Sequence, residues 1–294
     1  MLQVQNVTRS FGARRVLNDV NFTVEPGRMT GFVGSNGAGK TTTMRIILGV
    51  LTPDSGSVTL NGKPLEPDDR QLFGYMPEER GLYPKMRVAE QIVYLARLHG
   101  LGPAAAQRNT DRLLERLGLA ERAGATVESL SRGNQQRAQI AAALVHEPQV
   151  LVLDEPFSGL DLLAVETVLG VLKDRAESGI PVLFSSHQLD IVERLCDDLI
   201  VIADGSIKAT GSREKLREEH SLDRFEILVD GDAGWIRDVP GVDVIDFDGG
   251  YAVFEVDRPD GAQQVLREAT QRGAVTSFFQ QRPSLAQIFR EVIQ

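Results

Sequence analysis

A chain of 294 residues is long for one domain and suits a large domain joined to a small one. Its 42% hydrophobic and 25% charged residues exclude a disordered chain, and no apolar run approaches the roughly 20 residues that span a bilayer. The formal net charge of −9 offers nucleic acid and anionic membranes no general basic footprint, and residues 223–294, with 13 acidic and 7 basic side chains, hold −6 of it.

The polar stretch 1–12 lacks the basic-then-apolar layout of a secretion signal. The one cysteine, Cys196, follows the amphipathic stretch 191–195, where a packed core thiol is expected, and suits a reducing compartment. These features predict a cytoplasmic protein.

In chain order, an apolar strand at 29–33 leads into a helical pattern at 41–48. Residues 58–60 before Asn61-Gly62 predict a hairpin. Helical periodicity follows over 88–99, 104–117, 135–144 and 164–176. The apolar runs 150–153 and 182–184 read as strands buried on both faces, as central parallel strands are. Residues 199–202 before Asp204-Gly205 predict a second hairpin. Helices alternating with such strands argue an α/β layered fold.

Residues 212–220 are charged and weakly patterned, with a short helix expected. The tail then reads as strand 225–229, a short helix around Trp235, strand 242–247, the turn Asp248-Gly249-Gly250, strand 251–256, helix 261–272 and strand 275–279, with Pro283 opening a last helix at 285–293. That β-α-β-β-α-β order is the ferredoxin-like split pattern. The predicted division is a large α/β domain over 1–211, a linker over 212–222 and an α+β accessory domain over 223–294. Asp230, Asp232, Asp243, Asp246 and Asp248 fit no Ca²⁺-loop spacing and read as solvated strand-end carboxylates.

Gly34-Ser35-Asn36-Gly37-Ala38-Gly39-Lys40-Thr41, with Thr42 after it, matches the phosphate-binding P-loop between an apolar strand and a helix. Its glycines let the backbone curl so that successive N–H groups converge on phosphates, at the positive end of the following helix. Lys40 would reach the β- and γ-phosphates, and the Thr41 hydroxyl would ligate Mg²⁺. The strand 150–153 ends in Asp154-Glu155, where Asp154 would hold Mg²⁺ and Glu155 would position or deprotonate the attacking water. Binding of ATP with Mg²⁺ is the expectation.

At Leu130-Ser131-Arg132-Gly133-Asn134-Gln135-Gln136-Arg137 the chain resembles the ATP-binding-cassette (ABC) family, whose signature sequence this looks like; the resemblance covers roughly residues 2–211. It implies a P-loop ATPase cassette with a mixed sheet, an antiparallel β-subdomain and a helical subdomain. It further implies that Ser131, Arg132, Gly133, Asn134 and Gln135 contact the ATP held by a second subunit. Arg132 stands where relatives carry a second Gly, and Asn134 where they carry Gln. Phe11 matches the aromatic that stacks on adenine, although a core phenylalanine would read the same way. His187 matches the switch histidine that senses the γ-phosphate, although an isolated histidine is more often structural. Ser158-Gly159-Leu160-Asp161 matches the loop that crosses the subunit interface.

Glu78, in Gly74-Tyr75-Met76-Pro77-Glu78, stands where most relatives place a Gln that contacts the metal and attacking water. The resemblance makes Glu78 a third candidate metal residue. The segment 79–86 falls where the family's membrane subunit docks. Its wording, the signature and the tail at 283–289 look like the sodium-exporter and ABC-2-type exporter branch. The implied partners are a second ATP-binding subunit, most simply as a homodimer, and transmembrane permease subunits, which would place the chain on the inner face of the cell membrane; no nucleic acid is expected. The rival readings are a cassette acting on translation or DNA, and a nucleotide-sensing module without turnover.

Overall fold

The computed structural model describes residues 1–79, 81–219, 223–258, 260–281, 284 and 287–289, without the side chain of Asp190. Two long strands, β1 (Leu2–Phe11) and β2 (Arg14–Val24), pair antiparallel. β3 (Met29–Val33) leaves them for a second sheet and runs into helix α1 (Lys40–Ile47). The chain then returns: β4 (Ser55–Leu60) pairs with β1 and turns into β5 (Lys63–Pro64), giving the order β2-β1-β4-β5. The turn is Asn61-Gly62, with φ of 51° and 77°, as a two-residue hairpin demands.

After β6 (Phe73–Met76) comes a helical segment of α2 (Val88–Leu98), α3 (Pro103–Arg116) and α4 (Arg132–Leu144). α2 buries Val88, Ile92 and Ala96 and α3 buries Ala106, Thr110, Leu113 and Leu114, at the three- and four-residue spacing of one helix face. The rings of His99 and His146, beyond the ends of α2 and α4, stack at 3.7 Å.

β7 (Val150–Leu153), α5 (Leu162–Glu177), β8 (Val182–Ser186), α6 (Leu189–Leu195), β9 (Asp198–Ala203) and β10 (Ser206–Ser212) complete the larger unit. The six-stranded sheet runs β10-β9-β3-β8-β7-β6, parallel throughout except for β10. β3, β7 and β8 are buried along their whole length, which explains their unbroken apolar runs. One core holds residues of both sheets and of α1, Met44 and Ile47 among them with Val150 and Ile200, and the rings of Phe22 and Phe32 are 5.4 Å apart. The mixed sheet, the antiparallel sheet and the helical segment are those that the sequence predicts.

The chain divides into two compact units between Arg213 and Glu214, within helix α7 (Arg213–Glu219). The short helix expected within 212–220 is thus present at 213–219, while residues 220–222 lie outside the described residues. The second unit holds β11 (Arg224–Val229), β12 (Val242–Asp248), β13 (Tyr251–Val256), α8 (Gly261–Arg272) and β14 (Val275–Gln280). Its sheet order, β12-β13-β11-β14 with every pairing antiparallel, is the ferredoxin-like arrangement. The first crossover is reduced to the 3₁₀ segment Gly234–Asp238, anchored by buried Ile236. Glycines at 231, 234 and 241 and Pro240 leave no room for a regular helix there. The last helix, expected at 285–293, lies outside the described residues apart from 287–289. Among the described residues no helix is long and apolar enough to cross a membrane.

Two glycines separate packing from helix propensity. A Cβ on Gly74 in β6 would lie 2.3 Å from the Ala143 carbonyl oxygen and 2.6 Å from Leu151, whereas one on Gly170 in α5 would meet nothing within 4 Å. Gly74→Ala should lower stability by about 1–3 kcal/mol through overpacking. Gly170→Ala should raise it by about 1 kcal/mol, and urea unfolding measures both.

Candidate functional site

All five parallel strands of the larger unit end at one edge of the sheet, and the loops leaving them build the site there. The P-loop follows β3, Glu78 follows β6, Asp154-Glu155 follow β7 and His187 follows β8. β8 lies between β3 and β7, so its end is flanked by the P-loop on one side and the acidic pair on the other.

Close packing explains the P-loop glycines. A Cβ on Gly34 would sit 2.4 Å from the Ile202 carbonyl oxygen, and Gly39 holds a φ of 114° at the start of α1. The Gly205 N–H, in the β9–β10 turn, donates to the Ala38 carbonyl at 3.1 Å and braces the loop from behind. Buried Lys40 donates through Nζ to the carbonyls of Gly34 at 2.7 Å and Ser35 at 3.2 Å. Burial pushes its pKa down, while the charges of Glu155, Asp154 and Glu78 push it back up.

Asp154 is 1% exposed, and both of its oxygens are engaged. Thr41 Oγ1 donates to Oδ2 at 2.9 Å, and Ser185 Oγ donates to Oδ1 at 2.5 Å. Ser185 Oγ also accepts the backbone N–H of Glu155 at 2.8 Å. Glu155 has a φ of 53°, left-handed for a residue with a side chain, and its Oε1 lies 2.8 Å from His187 Nδ1. A carboxylate oxygen only accepts, so that ring nitrogen carries the proton. Glu155 is buried, and His187 is half exposed at the rim.

Lys40, Thr41, Asp154 and Glu155 face a cleft of about 350 Å³ that Phe11, Arg14, Val16, Asn36, Gly37, Gly39, Thr42 and Glu78 also line, while His187 is outside that lining. Of the other P-loop residues, Gly34 packs against Ile202, Ser35 supplies a carbonyl to Lys40, and Ala38 is buried. Phe11 is 49% exposed at the end of β1, which removes the core reading and leaves a ring free to stack on a base, with the Arg9 guanidinium 5.0 Å from its centroid. Arg14 and Val16 belong to no motif and join the cleft through the β1–β2 pairing. Thr41, Asp154 and Glu78 offer oxygen donors alone, and among the described residues no cluster of three His, Cys, Asp or Glu side chains is gathered. That set fits Mg²⁺, which takes one or two carboxylates and completes its shell with phosphate oxygens and water.

The signature residues are elsewhere: none of Ser131 to Gln135 lines this cleft. Exposed Ser131 caps α4, its Oγ accepting the Asn134 N–H at 3.3 Å, and Arg132 opens the helix in solvent. Gln135, expected at the nucleotide, is instead turned inward. It is buried, and its amide donates to the Val127 and Leu130 carbonyls at 3.0 and 3.1 Å, so it shapes the loop rather than facing a ligand. Gln136 ties α4 to the acidic pair, donating to the carbonyls of Glu155 at 2.9 Å and Pro156 at 3.1 Å. Asp161 caps α5 through the Ala164 N–H at 2.8 Å, which fixes the end of the 158–161 loop beside Gly133.

Comparisons with known proteins agree with this geometry. The family described as "ABC transporter" matches residues 17–158, and that described as "ATP-binding protein DrrA1-3-like, C-terminal domain" matches residues 211–293. The chain is 35% identical to YhaQ, an uncharacterized ABC transporter ATP-binding protein of Bacillus subtilis (strain 168), over 100% of this chain and 98% of that one. A Nod factor export ATP-binding protein I of Burkholderia lata is 38% identical over 77% of this chain and 76% of its own length. A solved structure of the ATP-binding subunit of an ABC transporter superposes with a TM-score of 0.69 at 33% identity, covering 74% of this chain and 92% of that one. The chain belongs to the ATP-binding subunits of ABC transporters and is an ATPase of that family.

Proposed function

We propose that two copies of this chain close face to face on two ATP molecules, the cleft of each completed by the signature helix of the other. The observation that carries this is the separation within one chain: Ser131, Arg132 and Gly133 lie off the P-loop cleft and partly or fully in solvent. The start of α4, where Ser131 caps the Asn134 N–H and Arg132 adds its charge, is an anion seat off its own chain's cleft. A Cβ on Gly133 would come no nearer than 3.5 Å to its neighbours, and its absence leaves the backbone there open to an approaching ligand.

In the closed pair Phe11 stacks on the base, the P-loop N–H groups and Lys40 hold the phosphates, and Thr41, Asp154 and Glu78 hold Mg²⁺. The metal supplies charge neutralisation of the β- and γ-phosphate oxygens. Glu155 orients the attacking water and accepts its proton, and His187 holds Glu155 from the rim. The reaction is an in-line attack that depends on positioning and charge stabilisation. Closure and reopening would drive separate membrane subunits, and likeness to a Nod factor export protein favours export as the direction. Action on nucleic acid is disfavoured by the net charge of −9.

Glu155→Gln should bind ATP, lose turnover by at least roughly a hundredfold and accumulate as an ATP-dependent dimer in light scattering. Wild-type hydrolysis in that variant would refute the assignment. Glu78→Gln removes one charge from the metal's surroundings. Its ATPase rate should need on the order of fivefold more Mg²⁺ for half-saturation, and an unchanged Mg²⁺ profile would remove Glu78 from the metal site.

A further inference from the structure

A central parallel strand buried on both faces is best filled with apolar residues, and β8 obeys that rule until Ser185. Ser185 is 0% exposed, a position where an unpaired hydroxyl would be costly. It spends its bonding capacity on the acidic pair, giving its proton to Asp154 Oδ1 at 2.5 Å and accepting the Glu155 N–H at 2.8 Å.

Two consequences follow. With Oδ1 committed to Ser185, the Asp154 carboxylate is held in one plane and turns Oδ2 to Thr41, at 2.9 Å. The second bond fixes a peptide whose next residue, Glu155, stands at a φ of 53° and needs surrounding structure to keep it there. That left-handed turn carries the Glu155 carboxylate to His187, 2.8 Å away. One hydroxyl therefore sets both the metal-holding oxygen and the water-activating oxygen.

We propose that Ser185 is a positioning residue for hydrolysis, holding Asp154 and Glu155 in the relative placement that an Mg²⁺-bound phosphate and its attacking water require. It rests on the roles given above to Asp154 and Glu155. Ser185 is fully buried and outside the cleft lining, and acts through the Asp154 carboxylate and the Glu155 backbone.

The test compares two pairs of variants that differ by one hydroxyl: wild type against Ser185→Ala, and Ser185→Thr against Ser185→Val, which have the same shape. Steady-state ATPase kinetics are read beside calorimetric ADP binding at increasing Mg²⁺, a measurement that needs no turnover. Loss of the hydroxyl should lower kcat roughly ten- to a hundredfold in each pair, as expected for a hydrogen bond to a charged group. KM for ATP should stay within about twofold, and the Mg²⁺ needed to tighten ADP should rise severalfold, as for a misplaced metal ligand. Metal-free ADP affinity should not change. The proposal is overturned if Ser185→Ala matches wild type and Ser185→Val matches Ser185→Thr in kcat and Mg²⁺ requirement. Asp154→Asn and Glu155→Gln are measured alongside. If those two turn over like wild type, the roles of the acidic pair fail and this proposal with them; if they are dead while the hydroxyl pairs are equal, Ser185 alone is wrong.

Discussion

Asp154 carries a carboxylate at a strand end where 1% of its surface meets water, and a charge so placed must be satisfied by the protein. The satisfaction comes from two hydroxyls, Thr41 on α1 and Ser185 on β8. Both are delivered by strand order: β8 separates β3 from β7, so Ser185 lies beside the acidic pair and the P-loop helix closes over the other side. Burial lowers the pKa of Lys40 in the same cleft, and the charges of Glu155, Asp154 and Glu78 act against that shift. The site is thus a small charged network at the rim of an apolar sheet, and the packing of β3, β7 and β8 supports it.

That network is finished on one side only. Gln136 ties the signature helix to the carbonyls of Glu155 and Pro156, so the half-site proposed for the partner is hydrogen-bonded to the backbone of the proposed base. In the proposed pair, nucleotide held by either chain would bias the same connection.

Much of the site is legible in the residues because its motifs are local. A P-loop, an acidic pair after an apolar run and the turns at Asn61-Gly62 and Asp204-Gly205 each need a few neighbouring residues, and the structure places them at the expected strand ends. Strand pairing is not local, and what depends on it stayed hidden. Ser185 is one of two hydroxyls ending an apolar strand until β7 is laid beside it, and Arg14 and Val16 enter the cleft only once β1 pairs with β2. Gln135 illustrates the reverse case, a motif residue whose helix phase turns it into the core. In the second unit the strand succession was readable from alternation, whereas the first crossover, broken by glycines and Pro240, shrank to five residues of 3₁₀ helix.

The central claim is that one copy holds a cleft and a signature that cannot meet each other. It is tested most directly by measuring ATPase rate per chain over a dilution series at saturating Mg-ATP, with mass determined at each point. The rate should fall on dilution in step with loss of the dimer. A constant rate from a 32.2 kDa monomer would contradict the account.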